Sequence, residues 1–343
     1  MTLNKRLVWL LPLLLCSTLL SASPEYTIKF ATLAPGGSTW MNLLEEWDRD
    51  LRTQSNGRIG FKFYPGGVQG DEPDVLKKMR FNQLQGGAFT GHGIGLMYSP
   101  ARVMELPFLF HTTEEIDHVR AQFMPEFRQG FRDNGFELLG WMEVGFVHMF
   151  SRKPIRSLQD MRKQRVWLWQ GDPLGQAFFK ASDISPVPLS IVDVYTSLST
   201  GLIDTVYAPP LGAIALQWFT KTAYVSSVPL TNGMGGLVVS RSFYAKLPPD
   251  LQSLLSSTGQ LAGEKLVTAA RVDNAKSIDI LKQRGLTFVE PDASMSEAVL
   301  QELRNKAAAD LTASGYIPAS LFERTRALLD AYRHTQADAK ALP

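Results

Sequence analysis

The sequence predicts an α/β protein of two lobes, with strands crossing between the lobes and one long helix spanning both. Three observations carry that expectation. A strand–helix–strand unit fills residues 26–63, and a second α/β stretch runs from Phe136 to Tyr207. From Pro249 to about Arg284 a helical pattern continues with almost no breaker. The length of 343 residues also exceeds what one hydrophobic core usually serves, roughly 250 residues.

The elements follow in order. Tyr26 to Leu33 reads as a strand and Pro35-Gly36-Gly37 as a turn. Ser38 is placed to cap a helix whose apolar face is Trp40, Leu43, Leu44, Trp47 and Leu51. Asn56-Gly57 ends it, and Ile59, Phe61 and Phe63 then alternate with Gly60 and Lys62 as a strand. Such a βαβ unit implies parallel pairing through a right-handed crossover. Asp74 to Leu84 is expected as a second helix, and Gly86 to Gly91 as a short strand end. Thr112-x-x-Glu115 has the capping-box pattern ahead of Ile116, Val119, Phe123 and Phe127. In the second stretch, 136–150 is strand-rich, 165–170 a strand, 173–182 and 190–200 helices, and 202–207 a strand. Residues 286–289 and two further helices close the chain. There is no internal repeat and no Pro/Ser-rich linker, so the lobes are joined by crossing strands rather than tethered as beads.

Charge excludes several partners. Lys and Arg total 35 against 33 Asp and Glu. The first 22 residues hold Lys5 and Arg6 and no acid, which leaves 33 of each in the remainder. A balanced chain lacks the electrostatic footprint for nucleic acid or an anionic membrane. The N-terminus itself reads as a signal peptide, residues 1–22. Lys5-Arg6 is a basic flank, Leu7 to Leu20 is apolar but shorter than the about 20 residues a bilayer takes, and Ser21-Ala22-Ser23 supplies small residues for cleavage near Ala22. Export is therefore expected. Cys16, the one cysteine, lies inside this run, and Leu15 before it is not the small residue that lipidation wants. The processed chain then has no cysteine, which excludes disulfides, thiol catalysis and cysteine-bound metals.

Motifs for chemistry are missing. The sequence holds no G-x-S-x-G elbow, no phosphate-binding G-x-x-x-x-G-K-[ST] loop and no H-E-x-x-H. Gly91-His92-Gly93-Ile94-Gly95 lacks dinucleotide spacing and reads as a tight strand exit. Of five histidines only His111 and His118 are near one another, and seven apart at a helix start suits solvated side chains better than a metal site. No cofactor and no enzymatic activity are expected.

Several stretches together identify a family. Tyr64-Pro65-Gly66-Gly67 with Gly70-Asp71-Glu72, then Glu105-Leu106-Pro107-Phe108-Leu109-Phe110, then Lys153-Pro154-Ile155 ahead of Ser157-Leu158-Gln159-Asp160-Met161, form one series. Ser185-Pro186-Val187-Pro188-Leu189 with Asp193-Val194-Tyr195 and Gly201-Leu202-Ile203-Asp204 continue it. In order and spacing these resemble the solute-binding proteins of TRAP (tripartite ATP-independent periplasmic) transporters, the DctP-like family, from Tyr26 to about Arg284. The resemblance makes the periplasm the destination of export, and it implies a type II periplasmic-binding-protein fold that closes on a small-molecule ligand and delivers it to the large and small membrane subunits of the permease. It places the first lobe at 25–146 plus part of 236–285, and the second at 147–235 plus 286–343.

The departures bear on the ligand. The family's carboxylate-binding arginine falls at Trp167 here, counted without gaps from Asp160-Met161, with Arg165 on the preceding basic position. A second family arginine corresponds to Val147, beside His148, and the family's Asn after the Gly-x-x-Asp turn corresponds to Ala208, between Tyr207 and Pro209. Thr90 stands where the first lobe's Gly-rich strand often carries an acid or polar group. The expected cleft residues are Trp167, Trp169, Gln170, Arg165, Tyr207, Ala208, Pro209, Val147, His148, Thr90 and His92.

On a strand, Arg165, Trp167 and Trp169 share a face at about 7 Å intervals. Two tryptophans each offer on the order of 200 Å² to a ligand. The alternation suits core packing equally well; the family position of Trp167 favours the ligand wall. Arg165 could reach the cleft and anchor one acidic group, so the expected cargo is hydrophobic or weakly polar with room for one acid. The alternatives are a C4-dicarboxylate or other organic acid, and a sensory protein docking a membrane receptor. Some TRAP binding proteins with apolar clefts work with a periplasmic tetratricopeptide protein, which the resemblance adds as a partner.

Overall fold

A computed structural model describes residues 24–341. The signal-peptide expectation, with Cys16 and the cleavage near Ala22, lies outside these residues.

The first βαβ unit forms as the pattern requires. β1 (Tyr26–Thr32) and β2 (Ile59–Tyr64) pair in parallel, Tyr26 opposite Ile59, around α1 (Thr39–Gln54). The Ser38 hydroxyl accepts from Met41 N–H, and α1 buries Met41, Leu44, Trp47 and Leu51. α2 (Glu72–Arg80) starts two residues before the expected Asp74, because Asp71 and Asp74 build a capping box and Pro73 suits the first turn. β3 (Gly86–Thr90) follows. Gly91–Gly95 is not merely a strand exit: it opens a buried helix, α3 (Gly91–Met97), which leads into a 3₁₀ turn at Ser99–Glu105. α4 (Thr113–Asp133) and the 16-residue β4 (Phe136–Ser151) complete this part.

β4 is the crossing strand. Its first part, Phe136 to Val147, pairs with β9 (Thr231–Ser240); from His148 to Ser151 it pairs instead with β7 (Thr205–Ala208). Between them the second lobe holds α5 (Leu158–Arg162), β5 (Trp167–Trp169), α6 (Pro173–Ala181), β6 (Val187–Leu189), α7 (Val194–Thr200), α8 (Pro210–Ala215) and β8 (Tyr224–Ser226). The main sheet runs β10-β8-β4-β9-β3-β1-β2, with β10 at Thr287–Val289, and β5 and β6 form a separate parallel pair. After α9 (Arg241–Tyr244), the 35-residue α10 (Pro249–Gln283) packs on α1, β4 and α8 and so spans both lobes. Gly145 lets β4 bend at a bulge: its φ is +110°, and a Cβ there would stand 2.4 Å from Asn274 Nδ2 on α10.

One expected boundary needs correction. α11 (Glu297–Ala313) packs on α6 of the second lobe, but α12 (Ala319–Ala341) returns to α4 of the first. Leu321 and Leu329 join the core that holds Ile116 and Phe123. Arg333 meets the Glu115 carboxylate at 2.7 Å, so this side chain serves α12 rather than closing a reciprocal cap with Thr112. Residues 286–343 therefore do not all belong with 147–235.

Candidate functional site

A cavity of about 230 Å³ lies between the lobes. β5, β7 and the start of α8 supply one wall, and the turn after β1, the start of α1 and the β3–α3 junction supply the other. The second-lobe wall is an aromatic cluster. Trp167, 1% exposed, stacks on Tyr207 at 4.8 Å and meets Trp218 edge-on at 5.2 Å. Its indole N–H is spent on the Leu189 carbonyl at 3.0 Å, so the ring presents carbon to the cavity. Phe178, Phe179, Leu211 and Leu216 extend that surface. The Tyr207 hydroxyl accepts from Trp169 N–H at 3.1 Å, and burial pushes its pKa up, which keeps it neutral.

Polar groups gather at one end, and they are committed to one another. Arg102, 3% exposed, points two nitrogens at Asp172: Nη1–Oδ1 is 2.9 Å and Nη2–Oδ2 is 3.2 Å. Glu105 Oε2 lies 2.6 Å from Arg102 Nε as a charge pair without hydrogen-bond alignment, and Glu105 Oε1 accepts from Met234 N–H at 2.7 Å. Burial opposes ionisation of Asp172, but the Arg102 guanidinium outweighs it and holds that carboxyl below its ordinary range. Burial raises the Glu105 carboxyl, with Arg102 only partly opposing. A Cβ at Gly91 would fall 1.9 Å from Glu105 Oε2, so a larger residue there would displace that carboxylate. The cavity thus contains one guanidinium and two carboxylates, with no cation to spare among the described lining residues.

His92 differs. It is 4% exposed, its ring lies 5.0 Å from that of Trp169, and neither ring nitrogen has a partner among the described residues. Burial lowers its pKa, so it is neutral and offers one donor and one acceptor. Trp40 Nε1, also on the cavity wall, is likewise buried without a partner among the described residues. Uncharged hydrogen-bonding groups on a ligand are what these atoms can take.

Asp71 ties the lobes together beside this site. From the second lobe it accepts Trp169 Nε1–H at 3.0 Å, the Ser190 hydroxyl at 2.7 Å and Ile191 N–H at 3.2 Å. Its neighbour Glu72 is fully buried and accepts from Thr90 N–H, the Thr90 hydroxyl and Gly93 N–H. Burial outweighs those donors and pushes its pKa up to about 7.

Eight of the eleven residues expected in the cleft line this cavity: Trp167, Trp169, Tyr207, Ala208, Pro209, Val147, Thr90 and His92. Three do not. β5 is only three residues long, so Arg165 falls outside it. The Arg165 side chain is 56% exposed and pairs with Asp204 at 3.2 Å, so it anchors nothing in the cleft. Gln170 is exposed past the strand end. His148 follows Val147 on β4 and therefore points to the other face, where Nδ1 meets the Ser226 carbonyl at 2.7 Å. Sequence reasoning missed Arg102, Glu105 and Asp172. Asp172 caps α6, and nothing local announces a partner 70 residues away.

Comparison with known proteins places this geometry. Residues 30–312 match the family model for DctP, bacterial extracellular solute-binding protein, family 7. The chain belongs to this family. It is a TRAP solute-binding protein, one of a family of periplasmic transport proteins that bind small molecules and pass them to membrane components. The sialic acid-binding periplasmic protein SiaP of Vibrio cholerae is 23% identical over 310 residues, covering 88% of this chain and 94% of the relative. A TRAP periplasmic solute-binding protein of Roseobacter denitrificans, solved with bound L-galactonate, superposes with a TM-score of 0.79. It is 21% identical and covers 90% of this chain and 99% of its own. Another from Desulfovibrio salexigens, solved with orotic acid, gives a TM-score of 0.81 at 18% identity, covering 89% of this chain and 99% of its own. These likenesses establish the two-lobed type II fold.

Proposed function

We propose that this TRAP solute-binding protein captures an apolar small molecule with at most one uncharged polar group, and hands it to the large and small membrane subunits of its permease. One observation carries the reading: the guanidinium in the cleft, Arg102, is already taken up by Asp172 and Glu105, and the surrounding wall is aromatic and aliphatic. A carboxylate enclosed there would be desolvated without a free counter-charge, which costs several kcal/mol. An apolar ligand gains about 25 cal/mol for each Å² it buries. Trp167, Tyr207 and Phe179 give such a ligand its apolar wall, and His92 and Trp40 carry the polar atoms left for its polar group.

Relatives solved with L-galactonate and orotic acid support the competing organic-acid reading. Against it stand Trp167 and Val147 at positions the family fills with arginine. A poorly soluble cargo would also suit transfer from a periplasmic tetratricopeptide partner. The four tryptophans on the wall, Trp40, Trp167, Trp169 and Trp218, give the test its signal. Titration with 1-decanol should change their fluorescence saturably, and galactonate should not. Saturable galactonate binding with no response to decanol would refute the proposal.

A further inference from the structure

We propose that Asp172 is a built-in substitute for a ligand carboxylate: it occupies the Arg102 fork across the cleft and thereby excludes acids from the cavity. This rests on the apolar-cargo reading and names the residue that enforces it.

The geometry is that of arginine holding a free carboxylate, two parallel contacts of 2.9 and 3.2 Å between a planar donor pair and both oxygens. Both side chains are almost wholly buried, at 4% and 7% exposure, and both line the cavity. The pair also joins the lobes, since Arg102 sits on the Ser99–Glu105 turn of the first and Asp172 at the N-terminus of α6 in the second. Each partner has a further contact. Asp172 Oδ1 also caps α6 through Leu174 N–H at 3.2 Å, and the third Arg102 nitrogen faces Glu105, itself held by Met234 N–H. A ligand carboxylate would be a third acid against one base. The lobes can close across this end without any charge on the ligand. A purely structural ion pair would stabilise the fold in the same way, but its removal would not create affinity for a new ligand class.

Asp172→Ser separates the two. Serine keeps a capping hydroxyl for α6 while vacating the carboxylate position beside Arg102. Wild-type protein should bind 1-decanol at least about tenfold more tightly than decanoate, and Asp172→Ser should reverse that preference. Acetate alone should raise the melting temperature of Asp172→Ser and not that of the wild type. The gain should vanish in Asp172→Ser/Arg102→Met. Should the serine variant not purify, Asp172→Asn, which keeps the cap and the shape, should cut the discrimination against decanoate about tenfold. If the wild type prefers decanol and these variants retain the full preference, the role of Asp172 is refuted while the apolar cleft stands. If the wild type itself prefers decanoate, both fall.

Discussion

Replacing Trp167 by alanine perturbs the fold and the ligand wall at once, and the two effects are separable. The ring is 1% exposed and packed between Tyr207 at 4.8 Å, Trp218 at 5.2 Å and Trp169 at 5.7 Å. Truncating such a side chain costs about 3–5 kcal/mol of stability. The upper part of that range applies, because the site adjoins a cavity of about 230 Å³ and the void merges with it instead of collapsing. The Leu189 carbonyl also loses its indole donor. Urea denaturation without ligand measures this part. Decanol titration of the folded variant measures the other, a loss of about 2–4 kcal/mol expected for an aromatic anchor. Trp167→Phe should lose less of both, since most apolar contact survives. If Trp167→Ala is destabilised as expected yet binds decanol like the wild type, Trp167 is a core residue only, and the aromatic wall does not read the ligand.

Three further outcomes follow from named contacts. Asp71→Ala removes the acceptor for Trp169, Ser190 and Ile191, a link between lobes worth on the order of 3 kcal/mol; small-angle scattering should show a larger radius of gyration, and unchanged dimensions would rule out this latch. Gly145→Ala forces a side chain into φ +110° and against Asn274, so it should cost about 1–3 kcal/mol in urea, and an unaltered midpoint would show that the bend does not need glycine. Glu72 titrates at about 7 in the fold against an ordinary 4.5, so its contribution is complete below pH 4.5 and is lost as pH rises through 7, on the order of 3 kcal/mol. Stability at pH 5 should therefore exceed that at pH 8 more in the wild type than in Glu72→Gln; equal slopes would contradict this.

Local patterns carried most of the fold. Ser38 and the Trp40–Leu51 stripe announced α1, and the absence of breakers announced α10, because caps and helical periodicity act over a few residues. The position of α12 was not legible, since Arg333 and Leu329 choose α4 only once the chain has folded back. The candidate site divides in the same way. Trp167, Val147 and Ala208 stood out against the family's pattern and do line the cavity, whereas Arg165 and His148 were misjudged by where a short strand ends and which face alternate residues take. Arg102 and Asp172 meet across two lobes, and no spacing in the sequence encodes that meeting.

Native mass spectrometry of protein purified gently from its own host tests the central claim most directly. An apolar ligand held in this cavity dissociates slowly, so it should remain in the cleft through purification. The expected result is a bound species that partitions into organic solvent on denaturation and carries no carboxylate. A bound sugar acid or dicarboxylate, released into the aqueous phase, would contradict it.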